Sequence, residues 1–148
     1  MSRINEVRGD ITSAKGIIVH GCNAQGVMGS GVALAIKRKF PDAYVEYMKA
    51  FQAGKLRLGT CTFWTDGTTT VINGVTQEFY GRDGKKYVDY DAVREVFEFV
   101  AGIEHLTGSA VNFPLIGCGL GGGKWNVVED IILKTQHPNA ELNLWVMP

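Results

Sequence analysis

Two groups of glycines are the feature of this sequence best suited to binding chemistry. The first group is Gly21, Gly26, Gly29 and Gly31, and the second is Gly117, Gly119, Gly121, Gly122 and Gly123. Glycine lets backbone N–H groups come close to a ligand, and successive N–H groups at a helix N-terminus bind anions. Two such loops at one edge of a sheet suit a diphosphate held between them. The alternative is that these glycines only form tight turns.

The two commonest phosphate-binding motifs do not explain the second group. Residues 117–122 satisfy G-x-G-x-x-G, but a dinucleotide fingerprint opens a βαβ unit with another half-domain after it. Only one helix and one strand are expected to follow here. A Walker loop is absent, because Gly123 and Lys124 are followed by Trp125 instead of Ser or Thr.

Strands and helices alternate along the chain. Apolar and β-branched runs predict strands near residues 4–8, 16–20, 60–64, 70–72, 110–114 and 142–147. Helical spacing predicts helices over 31–39, from a cap at Asp42 to Gly54, over 91–106, and from a cap at Asn126 to 135. Residues 76–90 fit no pattern.

The order of these elements predicts an α/β domain whose sheet is covered on both faces. A hairpin turn at Asp66 and Gly67 makes the sheet mixed instead of purely parallel. Each glycine loop follows a strand and precedes a helix. Both loops are therefore expected at the carboxyl ends of strands, where ligands bind in such sheets.

Composition narrows the class of protein. The length of 148 residues fits one domain, and 15 basic residues balance 15 acidic ones. This balance gives no electrostatic reason to expect duplex nucleic acid or a membrane as partner. The sequence shows no signal peptide, no CxxC pair among three cysteines and no zinc spacing among three histidines. We expect a cytoplasmic monomer with reduced thiols, no cofactor and no metal.

Three segments, in this order, resemble the macrodomain family: residues 9–12 (GDIT), residues 17–44 (IIVHGCNAQGVMGSGVALAIKRKFPDAY) and residues 113–125 (FPLIGCGLGGGKW). The resemblance spans nearly the whole chain. It is nearest to the small stand-alone branch of ADP-ribose-1″-phosphate phosphatases and ADP-ribosyl-glutamate hydrolases. It implies one three-layer α/β/α macrodomain over residues 1–148 with a central mixed sheet. The implied small-molecule ligand is ADP-ribose or its 1″-phosphate.

The resemblance also implies roles for individual residues. Asp10 would accept a hydrogen bond from the adenine amine, and Asn23 would meet the distal ribose. Alternatively, Asp10 only caps the turn at Thr12, and Asn23 bonds its own backbone. Tyr80 would stack on the ligand or line the rim of its site; alternatively, it only packs against neighbouring residues. The implied ligand-binding set is Gly9, Asp10, Ile11, Cys22, Asn23, Ala24, Gly29, Ser30, Gly31, Val32, Tyr80, Pro114, Ile116, Gly117, Cys118, Gly119, Leu120 and Gly121. Cys22 and Cys118 are alternatively small buried fillers.

His20 and Asn23 are the catalytic candidates. The phosphatase branch carries a histidine at the position of His20, and a histidine can act as general base or general acid. The alternative is a core histidine that holds the loop. Lys124 is a candidate partner for a terminal phosphate. Asp89 and Asp91 are candidate bases by position only.

The glutamate-hydrolase subgroup resembles this chain less closely. That subgroup uses a lysine near Thr76 and Gln77 and an aspartate after the GCGL segment, where this chain has Gly121. The expected function is therefore binding of ADP-ribose and hydrolysis of the terminal phosphate of ADP-ribose-1″-phosphate. A hydrolase that removes ADP-ribose from macromolecules and a non-catalytic ADP-ribose reader stay open as alternatives.

Overall fold

The computed structural model describes residues 3–81, 83 and 85–147. Six strands and four α-helices follow one another along the chain, with a short 3-10 turn at Ile11–Ser13 after the first strand. Their bounds are β1 Ile4–Arg8, β2 Gly16–Asn23, α1 Gly31–Lys39, α2 Pro41–Gln52, β3 Cys61–Thr65, β4 Thr69–Gln77, α3 Tyr90–Thr107, β5 Val111–Phe113, α4 Trp125–Thr135 and β6 Leu142–Val146.

The strands form one six-stranded sheet in the order β1-β6-β5-β2-β4-β3. All neighbours pair in parallel except β3 and β4, which are antiparallel. The turn between these two strands is held by Asp66, whose Oδ1 accepts hydrogen bonds from the amides of Thr68 and Thr69. The predicted mixed sheet and its hairpin are confirmed.

Helices cover both faces of the sheet. On one face, α1 and α2 bury residues such as Ile36 and Ala43 against Ile18 and Val71. On the other face, α3 and α4 contribute to a larger apolar cluster that includes Phe97 and Ile132. The fold is therefore the three-layer α/β/α arrangement that the sequence predicts.

Several predicted boundaries were wrong. Strand β2 does not end at His20 but continues to Asn23, because β4 pairs with it as far as Gln77. Helix α2 begins at Pro41, which has no N–H to lose at a first helical position, so Asp42 is not its cap. Helix α4 begins at Trp125, with Lys124 at the N-cap position, so Asn126 is not a cap either. None of the described helices is long and apolar enough to cross a membrane.

Candidate functional site

A cavity of about 900 Å³ lies at the carboxyl edge of the sheet, where β2, β4, β5 and β6 end. This is the size range of small-molecule sites. Its lining comprises His20, Gly21, Cys22, Asn23, Val27, Gly29, Ser30, Gly31, Val32, Ala33, Gln77, Tyr80, Gly81, Pro114, Leu115, Ile116, Gly117, Cys118, Gly119, Leu120, Gly121, Trp145, Val146 and Met147. Both glycine loops thus meet at one cavity.

The first wall of the cavity is the N-terminus of α1. Ser30 stands at the N-cap position but its side chain caps no amide, and no acidic residue lies in the first turn. The residues that follow, Gly31, Val32 and Ala33, line the cavity. The first N–H groups of a helix have no partner within the helix, and they carry partial positive charge. Such backbone groups are suited to binding an anion.

The second wall is the loop after β5. Its own hydrogen bonds run from Cys118 N to Leu115 O at 3.1 Å and from Gly123 N to Gly117 O at 2.7 Å. In the described part of the chain, the N–H groups of Gly119, Leu120 and Gly121 have no protein acceptor. This loop therefore offers a second set of free donors at the same cavity.

Most glycines of the second loop are required by packing inside the protein. A Cβ at Gly121 would lie 2.7 Å from the carbonyl oxygen of Gly117, and Gly122 has a φ of +73°. A Cβ at Gly117 would collide with Val88, on the segment that follows β4. By contrast, a Cβ at Gly119 would meet nothing within 4 Å. Tight turns thus explain Gly117, Gly121 and Gly122, but not Gly119.

Asn23 binds its own loop and also lines the cavity. Its Oδ1 accepts hydrogen bonds from Gln25 N at 2.9 Å, from Val27 N at 3.3 Å and from the Tyr47 hydroxyl at 3.0 Å. Its Nδ2 donates to the carbonyl of Val27 at 2.8 Å. From the sequence, a bond to its own loop and a contact with the ligand were alternatives for Asn23. Because the second hydrogen of Nδ2 has no acceptor among the described residues, Asn23 can do both.

His20 is buried, with 1% of its surface exposed, and its Nε2 lies 2.6 Å from Asn73 Oδ1. The Nδ2 of Asn73 donates to Ala43 O and Thr62 Oγ1, so its Oδ1 is the acceptor and His20 Nε2 carries the hydrogen. Burial lowers the pKa of His20 to about 4, although the bond to Asn73 opposes this shift. His20 is therefore neutral at physiological pH. This agrees with the alternative interpretation, in which His20 is a core histidine that holds the loop.

The two cysteines at the cavity are protonated thiols. Burial raises the pKa of Cys22 far above its ordinary value, and burial also raises the pKa of Cys118. Cys22 Sγ lies 3.7 Å from Nε2 and 3.8 Å from Nδ1 of His20. A low thiolate fraction makes both poor nucleophiles.

Four predicted ligand residues do not line the cavity: Gly9, Asp10, Ile11 and Ala24. Asp10 Oδ1 accepts hydrogen bonds from Thr12 N at 2.9 Å and Thr12 Oγ1 at 2.8 Å, and these bonds lower the pKa of its carboxyl group. No hydrogen bond from the described residues reaches Asp10 Oδ2. Gly9 N donates to Val146 O, which places Asp10 beside the β6 end of the cavity.

Sequence reasoning missed several lining residues, chiefly Trp145 and Gln77. Trp145 lies in β6, and its Nε1 donates to Asn112 Oδ1 at 2.8 Å, which fixes the ring. Its position near the carboxyl end of a predicted parallel strand could have indicated that Trp145 lines the cavity. Gln77 ends β4, where the sequence pattern gave no assignment.

No charged side chain lines the cavity in the described part of the chain. Lys124 is exposed, and its backbone N donates to the Tyr90 hydroxyl. Asp89 caps α3 by accepting from Ala92 N, and Asp91 is exposed in the first turn of that helix. Among the described residues, no group of three or more His, Cys, Asp or Glu side chains is arranged to hold a metal.

The fold and the cavity together define a three-layer α/β/α protein with a cavity lined by two glycine loops at the carboxyl edge of its sheet. The chain belongs to the Macro domain family, whose model matches residues 19–132. This confirms the family resemblance.

Known relatives agree with this assignment. The chain is 28% identical over 95% of its length to a protein of Thermus aquaticus named DNA ADP-ribosyl glycohydrolase, and it spans 39% of that protein. It is 25% identical over 97% of its length to the ADP-ribose 1″-phosphate phosphatase of Candida albicans, of which it spans 99%. The macrodomain of Mycobacterium tuberculosis DarG superposes with a TM-score of 0.82 at 25% identity, covering 96% of both chains.

Proposed function

We propose that this protein binds ADP-ribose in the cavity and hydrolyses ADP-ribose-1″-phosphate to ADP-ribose and inorganic phosphate. The observation that carries the proposal is the pair of facing walls with free backbone N–H groups, in a cavity whose described lining is uncharged. Such donors suit a diphosphate, because they offer several hydrogen bonds and the helix dipole without a fixed counter-ion.

The direction of the ligand in this proposal comes from the roles that the family resemblance implies for Asp10 and Asn23. With the diphosphate between α1 and the second loop, adenine lies toward β6, beside Trp145 and Asp10, whose Oδ2 accepts no hydrogen bond from the described residues. The distal ribose lies toward Asn23, at the end of β2. Relatives named for ADP-ribose chemistry support this ligand, although the chain spans only part of the Thermus aquaticus protein.

The proposed reaction adds water to the terminal phosphorus and breaks its bond to the ribose oxygen, which leaves as the 1″-hydroxyl. The described cavity offers no carboxylate base, and His20 is buried with a lowered pKa, which makes its imidazole a weak base. The rate acceleration therefore comes from orientation of the phosphate and from amides that stabilise its developing charge. In this account His20 holds the end of β2, and Asn23 positions the ribose.

Incubation with ADP-ribose-1″-phosphate tests the reaction directly. We expect release of inorganic phosphate at a rate proportional to protein concentration, alongside calorimetric binding of ADP-ribose. Binding without phosphate release would contradict the phosphatase assignment and leave a reader or a hydrolase with another substrate.

A second candidate function is the removal of ADP-ribose from a macromolecule. The observation that favours it is the exposure of five large side chains among the residues that line the cavity: Val27, Tyr80, Leu115, Leu120 and Met147. A free nucleotide needs no such exposed side chains, whereas a macromolecule bearing ADP-ribose would cover them. Release of ADP-ribose from an ADP-ribosylated oligonucleotide or protein, without phosphate release from the free substrate, would support this function.

A further inference from the structure

The hydroxyl group of Tyr47 organises the first loop from beneath. Tyr47 lies on α2 and is fully buried. Its hydroxyl donates to the carbonyl oxygen of Asn23 at 2.6 Å and lies 3.0 Å from Asn23 Oδ1. One side chain from the helical layer thus holds Asn23, the last residue of β2, where the turn begins.

These contacts determine which way the amide of Asn23 faces. Its Oδ1 already accepts from Gln25 N and Val27 N and lies 3.0 Å from the Tyr47 hydroxyl, so it has no capacity for a ligand. Its Nδ2 donates one hydrogen to Val27 O. The second hydrogen of Nδ2 has no acceptor among the described residues, and Asn23 lines the cavity. Asn23 can therefore offer a ligand a hydrogen-bond donor but no acceptor.

We propose that Tyr47 is a positioning residue that fixes Asn23 as a hydrogen-bond donor toward an oxygen of the distal ribose. The proposal rests on the proposed function, because Asn23 meets a ribose only when ADP-ribose is the ligand. Tyr47 does not line the cavity and is fully buried, so it acts on a ligand only through the residue that its hydroxyl contacts. Among the described residues this hydroxyl donates a hydrogen bond only to Asn23, so we expect its effect to be confined to the part of the ligand that Asn23 contacts.

The test compares ADP-ribose with ADP, which lacks only the distal ribose, by calorimetric titration of the whole chain. Tyr47→Phe keeps the buried ring and removes the hydroxyl. We expect about a tenfold loss of affinity for ADP-ribose, the size of one net hydrogen bond, and no loss for ADP. The matched control is Tyr44→Phe on the same helix, whose hydroxyl makes no hydrogen bond in the described part of the chain; it should bind both ligands as the wild type does.

A second pair of variants makes the same test without changing α2. Asn23→Asp replaces the donor by a carboxylate oxygen, and Asn23→Ala removes it. If Asn23 is only a donor, Asn23→Asp binds ADP-ribose no better than Asn23→Ala. In the Asn23→Ala background, adding Tyr47→Phe should cause no further loss of affinity for ADP-ribose.

The outcomes separate this role from the proposed function. A wild-type protein that does not bind ADP-ribose removes the proposed function, and this role with it. A wild-type protein that binds, together with a Tyr47→Phe variant that loses both ligands equally or neither, overturns the role of Tyr47 alone. Retained ADP-ribose affinity in Asn23→Asp overturns the donor assignment, even if Tyr47→Phe fails to fold.

Discussion

The Nε2 atom of His20 lies 2.6 Å from the Oδ1 atom of Asn73, and this hydrogen bond joins the neighbouring strands β2 and β4 at the cavity. Asn73 is itself fully buried and bonded to Ala43 and Thr62. The imidazole is therefore held in one tautomer and one orientation. It is part of the support of the site, and it has little access to water.

Stability should fall as acid protonates His20 in the unfolded chain. The pKa of His20 is about 4 in the folded protein and 6.5 in its ordinary state, so between these values only the unfolded chain binds the proton. The contribution of His20 to the free energy of unfolding is complete above pH 6.5 and is lost as pH falls toward 4. The total loss is about 3 kcal/mol. Thermal unfolding of the wild type and His20→Gln from pH 7.5 to 4.5 measures it.

His20→Gln does not titrate and is the reference for that series. The stability advantage of the wild type over the variant should shrink steadily below pH 6.5. An advantage that stays constant across the whole range would show that His20 titrates normally in the folded protein. By the same argument, the pH profile of kcat should show no break near 6.5 due to His20.

Asp10 should bind adenine with one carboxylate oxygen while the other holds the Thr12 turn. Asp10→Asn can keep the oxygen that faces Thr12 but places an amide N–H₂ where the adenine amine needs an acceptor. We expect a loss of about 1.5–3 kcal/mol in ADP-ribose binding, as for a hydrogen bond to a charged group, with little change in Tm. Asp10→Ala should lose binding and also about 1 kcal/mol of stability with the cap.

The control for Asp10 is the inosine analogue of ADP-ribose, which has an oxygen in place of the amine. Wild-type protein should prefer ADP-ribose, and Asp10→Asn should lose that preference. Equal wild-type affinity for the two ligands would remove Asp10 from adenine recognition.

Gly119 and Gly121 should respond differently to substitution. A side chain at Gly119 meets no protein atom within 4 Å, whereas one at Gly121 lies 2.7 Å from the Gly117 carbonyl. Gly119→Val should therefore leave Tm unchanged and weaken ADP-ribose binding, because in the proposed complex the diphosphate lies against this loop. Gly121→Val should lower both affinity and Tm. Calorimetry and thermal unfolding of the two variants decide this, and a Gly119→Val protein that binds normally would argue against phosphate at this loop.

Trp145 should report ligand binding through its fluorescence. The ring lines the cavity, and its Nε1 is held by Asn112 at 2.8 Å. Adenine placed against it should change the emission on titration with ADP-ribose. The change should disappear in Trp145→Phe, while Trp64 and Trp125, outside the cavity lining, remain. An undiminished signal in that variant would place the adenine elsewhere.

The sequence was sufficient for the fold because its signals are local and repeated. Apolar runs such as residues 16–20 and the helical spacing of residues 91–106 place strands and helices, and the Asp66 turn makes the sheet mixed. The predicted end of a strand was wrong where pairing with a neighbouring strand determines it. Gly21, Cys22 and Asn23 do not read as strand, yet β4 pairs with them.

The sequence predicted the two glycine loops of the site but not the contacts that hold them. Both glycine loops belong to the cavity, but the reason for most glycines of the second loop lies in distant chain, such as Val88 against Gly117. The partners of His20 and Asn23 are 53 and 24 residues away, at Asn73 and Tyr47. Spacing along the chain cannot predict such contacts, because the tertiary packing of α2 and β4 creates them.

Calorimetric titration of the wild-type chain with ADP-ribose measures directly whether this protein binds that ligand. We expect saturable binding of one ADP-ribose per chain, stronger than that of ADP, since Asn23 adds a contact to the distal ribose. We also expect binding to persist at high salt, because the described lining holds the diphosphate with amides and no charged side chain. Absence of saturable binding at millimolar ADP-ribose would show that the cavity is not an ADP-ribose site.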